Sequence, residues 1–238
     1  AADDAAGLAM TETMTSQIRG LNMAVRNAND AISLLQTADG AMIEQTNMLQ
    51  RMRELAVQAA SDTVSSTQKG YLNTEYQQLL EEINNIGGNT TWNGIGILDA
   101  SGGTSGSGTF VFQIGANSGQ TISVTIADMS SGSAFSSVAS GISSAAAATS
   151  AISTLDSALD TIASQRATIG AAINQLTYAA DNLTNISQNA SESRSRVLDT
   201  DYGAASAALA RSQIIQQAST AMLAQANQQP QMVLALLK

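Results

Sequence analysis

ISTLDSALDTIASQRATIGAAINQLTYAADNLTNISQNASESRSRV, residues 152–197, decides the fold. Ile152, Leu155, Leu159, Ile162, Arg166, Ile169, Ile173, Leu176, Ala180, Leu183, Ser187, Ala190, Arg194 and Val197 follow one another by steps of 3 and 4 without a slip. An average step of 3.5 keeps one stripe facing a partner helix along a left-handed seam. Arg166 and Arg194 interrupt the stripe, but their stems can lie along it while the charged heads reach its edge. The helical pattern begins near residue 145, so one helix is predicted over about 145–197.

A second stripe of the same period lies in the first quarter of the chain. Met14, Ile18, Leu21, Val25, Ala28, Ile32, Leu35, Met42 and Leu49 are spaced by 4, 3 or whole heptads, with polar Asp39 and Thr46 at two seam positions. The helical pattern runs over about 7–60. About 50 residues at 1.5 Å rise make a rod of roughly 75 Å, longer than a globular core needs. The two seams are most economically each other's partners, packed antiparallel.

Between the seams the period changes twice. Ser61, Asp62, Thr63, Ser65 and Ser66 break the first helix and can cap a second. Leu72, Tyr76, Leu79, Ile83 and Ile86 predict that second helix over about 65–86, ended by Gly87 and Gly88. After so short a break it packs antiparallel on the first. Phe110, Phe112 and Ile114, then Ile122, Val124 and Ile126, alternate with a period of two, the mark of strands. With the turn Gly115–Gly119 they form a β-hairpin in a region of about 91–130. The stretch Ile95–Leu98 suggests a further short strand or turn. Residues 99–108 and 130–145 are Gly/Ser-rich and read as loops too short to hold another domain.

Beyond about residue 200 the stripe loosens. Leu209, Ile214, Ile215, Met222 and Leu223 give a broad apolar face, and Pro230, the one proline, is expected to interrupt the helix. The apolar end, Met232 to Leu237, would be exposed on a monomer and marks a partner surface. The expected fold class is mainly α: an elongated antiparallel bundle of long helices with a small β-hairpin region at one end.

Composition narrows the function. Charged residues are 12%, against roughly 25% in ordinary domains. A surface of small polar groups lets neighbours approach with few ions to desolvate. Net charge is −9 and aromatics are 3%, so neither the basic footprint nor the stacking platforms of a nucleic-acid binder are present. With no Cys and no His, thiol chemistry, zinc fingers and Ser-His-Asp triads are excluded. No run of about 20 apolar residues spans a membrane. Asp3 and Asp4 could be read as a carboxylate pair, but two acids at a helix start more simply favour its N-terminus. No catalytic, cofactor-binding or metal residue is expected.

Five ordered motifs, spread over nearly the whole chain, resemble bacterial flagellin. The opening Ala1-Ala2-Asp3-Asp4-Ala5-Ala6-Gly7-Leu8-Ala9-Met10 is similar to the start of that family's first rod helix. Gln50-Arg51-Met52-Arg53-Glu54-Leu55-Ala56-Val57-Gln58-Ala59-Ala60 is similar to its most recognisable run. Trp92-Asn93-Gly94 with Ile97-Leu98 resembles its turn, and Phe112-Gln113-Ile114-Gly115-Ala116-Asn117 its hairpin. Arg196-Val197-Leu198-Asp199 and Ala224-Gln225-Ala226-Asn227-Gln228 resemble its C-terminal half.

The resemblance implies a rod domain over 1–200 with the hairpin at its outer end. It also implies that 201–238 belongs to the terminal domain of the filament core, whose N-terminal partner helix, in the family's first ~40 residues, precedes Ala1. The chain then reads as a trimmed, minimal flagellin without large outer variable domains, and its tail is expected to be cut by proteases near 195–205. Its implied function is that of a self-assembling structural subunit of the flagellar filament, extracellular and not enzymatic. By motif match, an innate immune receptor and neighbouring subunits would meet Arg51, Leu55 and Glu75, flanked by Arg53, Glu54 and Gln58. The family commonly carries a Glu after Asp201, where this chain reads Tyr202-Gly203-Ala204-Ala205-Ser206. Two alternatives follow: a cell-surface relative binding a polysaccharide or host component, with Arg51, Arg53 and Lys69 as a basic patch, or a hook-filament junction protein.

Overall fold

A computed structural model describes residues 4–130 and 134–236, the stretch 227–236 by its backbone alone. Four helices carry most of the chain: α1 (Ala5–Ala60), α2 (Ser66–Asn89), α3 (Ala145–Leu198) and α4 (Tyr202–Leu236). Two hairpins lie between α2 and α3, β1–β2 (Thr91–Trp92 and Ile95–Gly96) and β3–β4 (Thr109–Gln113 and Thr121–Thr125). The chain divides into two compact units, Met14–Ser191 and the remainder at both ends.

In the larger unit α1 and α3 run antiparallel. Ser187 Oγ donates to Asn22 Oδ1 at 2.8 Å, Arg166 Nε to Asp39 Oδ1 at 2.7 Å and Arg53 Nε to Asp156 Oδ1 at 2.6 Å. Numbers rise along α1 as they fall along α3, so the three links keep one register. Arg166 and Asp39, one charged position from each of the two expected seams, are paired.

The buried stripe of α1 differs from the expected one in half of its rungs. Leu21, Ala28, Leu35, Met42 and Leu49 are buried as their spacing predicts. The alternate rungs are Ala24, Ala31, Ala38, Gln45, Met52 and Ala59, whereas Val25, Ile32, Asp39 and Thr46 lie at the edge. Alanines let neighbouring backbones approach closely, and they carry little hydrophobic signal in a sequence. Thr46 Oγ1 satisfies itself on Met42 O of its own helix at 2.7 Å.

Helix α2 begins with a capping box. Gln68 N donates to Ser65 Oγ, and Ser65 N to Gln68 Oε1 at 2.9 Å, two otherwise orphaned donors satisfied reciprocally. At its other end α2 continues through Gly87 and Gly88 instead of stopping there. A Cβ on Gly87 would lie 3.0 Å from Met129 O, so the glycine serves a close approach and not a helix stop. Thr90 N closes the last turn on Ile86 O.

The period-two segments are strands, paired Phe110 to Val124 and Phe112 to Ile122. Phe110, Ile122, Val124 and Ile126 turn into the core. The hairpin sits beside the part of α1 that α2 leaves uncovered: Asn27 Nδ2 donates to Gln113 O, and a Cβ on Gly20 would meet Ala116 Cβ at 3.0 Å. It therefore occupies the end of this unit nearer Met14 and Ser191, not the outer end at the α1–α2 turn. Its apolar face needs helix surface, and α2 already covers the outer half. Ile95–Gly96 forms β2, paired to β1 through Asn93 and Gly94, both at positive φ as a two-residue turn requires.

The segment 134–142, read as loop, is anchored in the core. Phe135, Val138 and Ile142 are buried, Tyr76 OH donates to Val138 O at 2.8 Å, and Ile142 N donates to Asn73 Oδ1 at 2.7 Å.

In the smaller unit, Asp4 Oδ1 accepts from Gly7 N at 2.8 Å and caps α1; Asp3 lies outside the described residues. Asp201 Oδ1 caps α4, accepting from Gly203 N and Ala204 N. The backbone of α4 stays helical through Pro230, against expectation: the one N–H that proline lacks does not end a 35-residue helix here. The side chains of the apolar end, from Met232 on, lie outside the described residues.

Candidate functional site

Two surfaces are candidates: the face where α1 meets α2, and α4. On the first, Arg51 stands on α1 opposite Glu75 on α2. Nε and Nη2 reach Glu75 Oε1 at 3.0 and 2.8 Å, and Nη1 reaches Glu54 Oε2 at 2.9 Å. The helical spacing from 51 to 54 puts the second pair on one flank. The bond to Glu54, then those to Glu75, hold the Arg51 guanidinium above its ordinary pKa, as Asp156 does for Arg53. All these side chains are about half exposed, so the ion pairs add little to stability.

Of the six residues singled out in the sequence, five are at the surface. Arg51, Glu54 and Glu75 are brought together; Arg53 and Gln58 line a shallow groove with Gln50, Glu54 and Val57. Leu55 is the exception: only 1% exposed, it belongs to the core, where α1 faces two other helices and its apolar stripe widens. Asp156, the partner of Arg53, was not visible in the sequence, being 103 residues away. The basic patch imagined from Arg51, Arg53 and Lys69 does not form. The two arginines are matched by carboxylates, and Lys69 is buried along α2.

On α4 every described side chain from Tyr202 to Ala226 is exposed, including Leu209, Ile214, Ile215, Met222 and Leu223 at 57–69%. Among the described residues no cluster of His, Cys, Asp or Glu could hold a metal ion, and no helix is long and apolar enough to cross a membrane.

Residues 1–102 match the family model of the bacterial flagellin N-terminal helical region, and residues 152–237 that of the C-terminal helical region. The flagellin of Halalkalibacterium halodurans is 43% identical, over 100% of this chain and 86% of its own length. That of Bacillus subtilis is 40% identical, over 100% and 88%. The flagellar filament 33 kDa core protein of Treponema phagedenis is 37% identical, over 100% and 87%. Among solved structures, Bacillus cereus flagellin superposes with a TM-score of 0.59 at 35% identity, covering 66% of this chain and 88% of that one. A putative flagellar hook-associated protein from Vibrio parahaemolyticus reaches 0.68 at 11% identity over 82% and 99%, a likeness of fold alone. A cross-linked pair of long helices, a hairpin on their flank and an uncovered apolar helix suit a building block that packs against copies of itself. The chain belongs to the bacterial flagellin family and is a structural subunit of the extracellular flagellar filament that serves motility.

Proposed function

We propose that the chain enters the filament through two kinds of contact: side-by-side packing of its helical bundle, and burial of α4 against helical segments at the filament core. The observation that carries this is the bare apolar face of α4. Five large apolar side chains, 57–69% exposed, forgo about 1–2 kcal/mol each that a covering helix would return. Contacts of this heterologous, non-closing kind build filaments and not rings. On this reading 1–200 serves as the rod and 201–238 as part of the filament-core domain. The test is seeded polymerisation followed by electron microscopy. A variant carrying Leu209→Ser, Ile215→Ser and Leu223→Ser should stay monomeric with an unchanged melt of the bundle. Normal filaments from it would refute the role given to α4.

The α1–α2 face carries a second reading. Arg51 and Glu75 present a charged pair on a rigid two-helix platform, suited to recognition by an innate immune receptor as well as by neighbouring subunits. Arg51→Ala and Glu75→Ala should each reduce receptor activation; unchanged responses in both remove this reading. A polysaccharide partner draws no support from charge, because the arginines are already paired. Glycan binding that weakens steeply with salt would reverse that judgement.

A further inference from the structure

Gln45 is polar, sits on the buried stripe of α1 and is 0% exposed. Its Nε2 donates to Met129 O at 2.9 Å and to Ile83 O at 3.2 Å. Its Oε1, equally buried, has no partner among the described residues. An orphaned buried acceptor lowers stability, so maximal core packing does not account for this side chain. Two carbonyls facing one amide nitrogen also fix which way the amide points, since Oε1 in its place would be repelled by both.

What the residue does follows from its neighbours on the stripe. Ala24, Ala31, Ala38, Met52 and Ala59 occupy the same heptad position, and all are buried and apolar. Burial of apolar area is non-directional. For the apolar rungs alone, a shift of the packed segments by one heptad along α1, about 10.5 Å, would exchange one rung for another at little loss. On this row only the rung at 45 carries N–H donors, so of these rungs only it can recognise a particular carbonyl. The same logic lets one polar seam residue set the register of a coiled coil.

We infer that Gln45 is a register pin within the larger unit, positioning the Met129 backbone, and with it the return of the β region to the bundle, against α1 and α2. The Met129 peptide is gripped on each side. Its N–H donates to Leu98 O at 2.7 Å, tying the exit of the β region to its entrance. Its carbonyl takes the Gln45 amide and rests on Gly87, where a Cβ would come to 3.0 Å of it. The α1–α2 pair is already restrained by its short connection. The Met129 peptide lies 84 residues from Gln45 and has no such tether.

The test uses the whole protein with 13C-methyl-labelled methionine. In Gln45→Leu the melting temperature should stay within about 5 °C of wild type, with unchanged helix content, while the Met129 methyl signal splits or broadens. Leu49→Ala, one turn away on the other row, should lower the melt further and leave Met129 a single sharp signal. A single sharp Met129 signal in Gln45→Leu overturns the assignment, as does equal splitting in Leu49→Ala. Should Gln45→Leu not fold, Gln45→Met removes the same amide with a side chain of closer length. There the pin predicts the same splitting, and a single sharp Met129 signal sinks it.

Discussion

Arg51 on α1 donates through two nitrogens to a single oxygen of Glu75 on α2, Nε at 3.0 Å and Nη2 at 2.8 Å, and its third nitrogen holds Glu54. One guanidinium thus ties two helices and stiffens a surface without leaving it. Because the partners are half exposed, water already solvates most of the charge in either state.

Glu75→Gln should therefore change the melting temperature by no more than about 3 °C, and the difference should vanish in 1 M salt, where the screening length falls to roughly 3 Å. Thermal melts followed by circular dichroism at two ionic strengths check this. A drop of ten degrees that persists in salt would mean that the pair holds the fold.

The hairpin turn rests on α1 at a point where there is no side chain to spare. A Cβ on Gly20 would lie 3.0 Å from Ala116 Cβ. Gly20→Val overfills that contact and should destabilise by about 1–3 kcal/mol. Ala116→Gly in the same chain should recover part of the loss, giving a coupling term outside the additive range of about 0.5 kcal/mol. Urea unfolding of the two single variants and the double variant measures it. Strict additivity would place the strain elsewhere on the hairpin.

Tyr76 is fully buried, with its hydroxyl on Val138 O, and burial pushes its pKa from 10.0 up to about 12. The folded state therefore holds the phenolic proton more tightly than the unfolded one. Its contribution is intact below pH 10 and is lost as pH rises through 12. At about 1.4 kcal/mol per unit the loss approaches roughly 3 kcal/mol. Tyr76→Phe should flatten this alkaline limb. It should also lower stability at pH 7 by about 1–3 kcal/mol, since Val138 O is left unpaired. Denaturation at pH 8, 10 and 12 tests both parts; an unchanged alkaline limb in the variant would assign it to another group.

The frame of the fold was written in the sequence, and its close contacts were not. The heptad set Leu21, Leu35, Met42 and Leu49 announced the α1 seam. Its other row is mostly alanine, a residue with little hydrophobic signal, so these buried rungs were hard to read. Strict alternation around Phe110 and Val124 made the hairpin legible, but its seat beside Gly20 depends on how far α2 reaches. In 134–142 three apolar residues among glycines and serines are too few to set a period. Long-range pairs such as Arg53 with Asp156 arise only once two helices are in register. The motif Gln50–Ala60 that singled out Arg51 also drew in Leu55, because one turn of a helix holds surface and core residues side by side.

The link between α3 and α4 is where the unassembled chain should be cut first. Only residues 199–201 separate Leu198, the end of α3, from Tyr202, the start of α4, and all are exposed. A protease needs several residues in extended form, so cleavage requires the flanking turns to open. Asp201 opposes that opening by capping Gly203 N and Ala204 N. Asp201→Ala removes the cap, worth about 1 kcal/mol, and should speed cleavage near 195–205 by roughly fivefold. If α4 is covered on assembly as proposed, filaments should resist under the same conditions. Mass spectrometry of a brief proteinase K digest locates the cuts. A first cut inside 14–191 would show that the bundle, and not its tail, is the less stable part, and an equal rate in Asp201→Ala would remove the cap from the account.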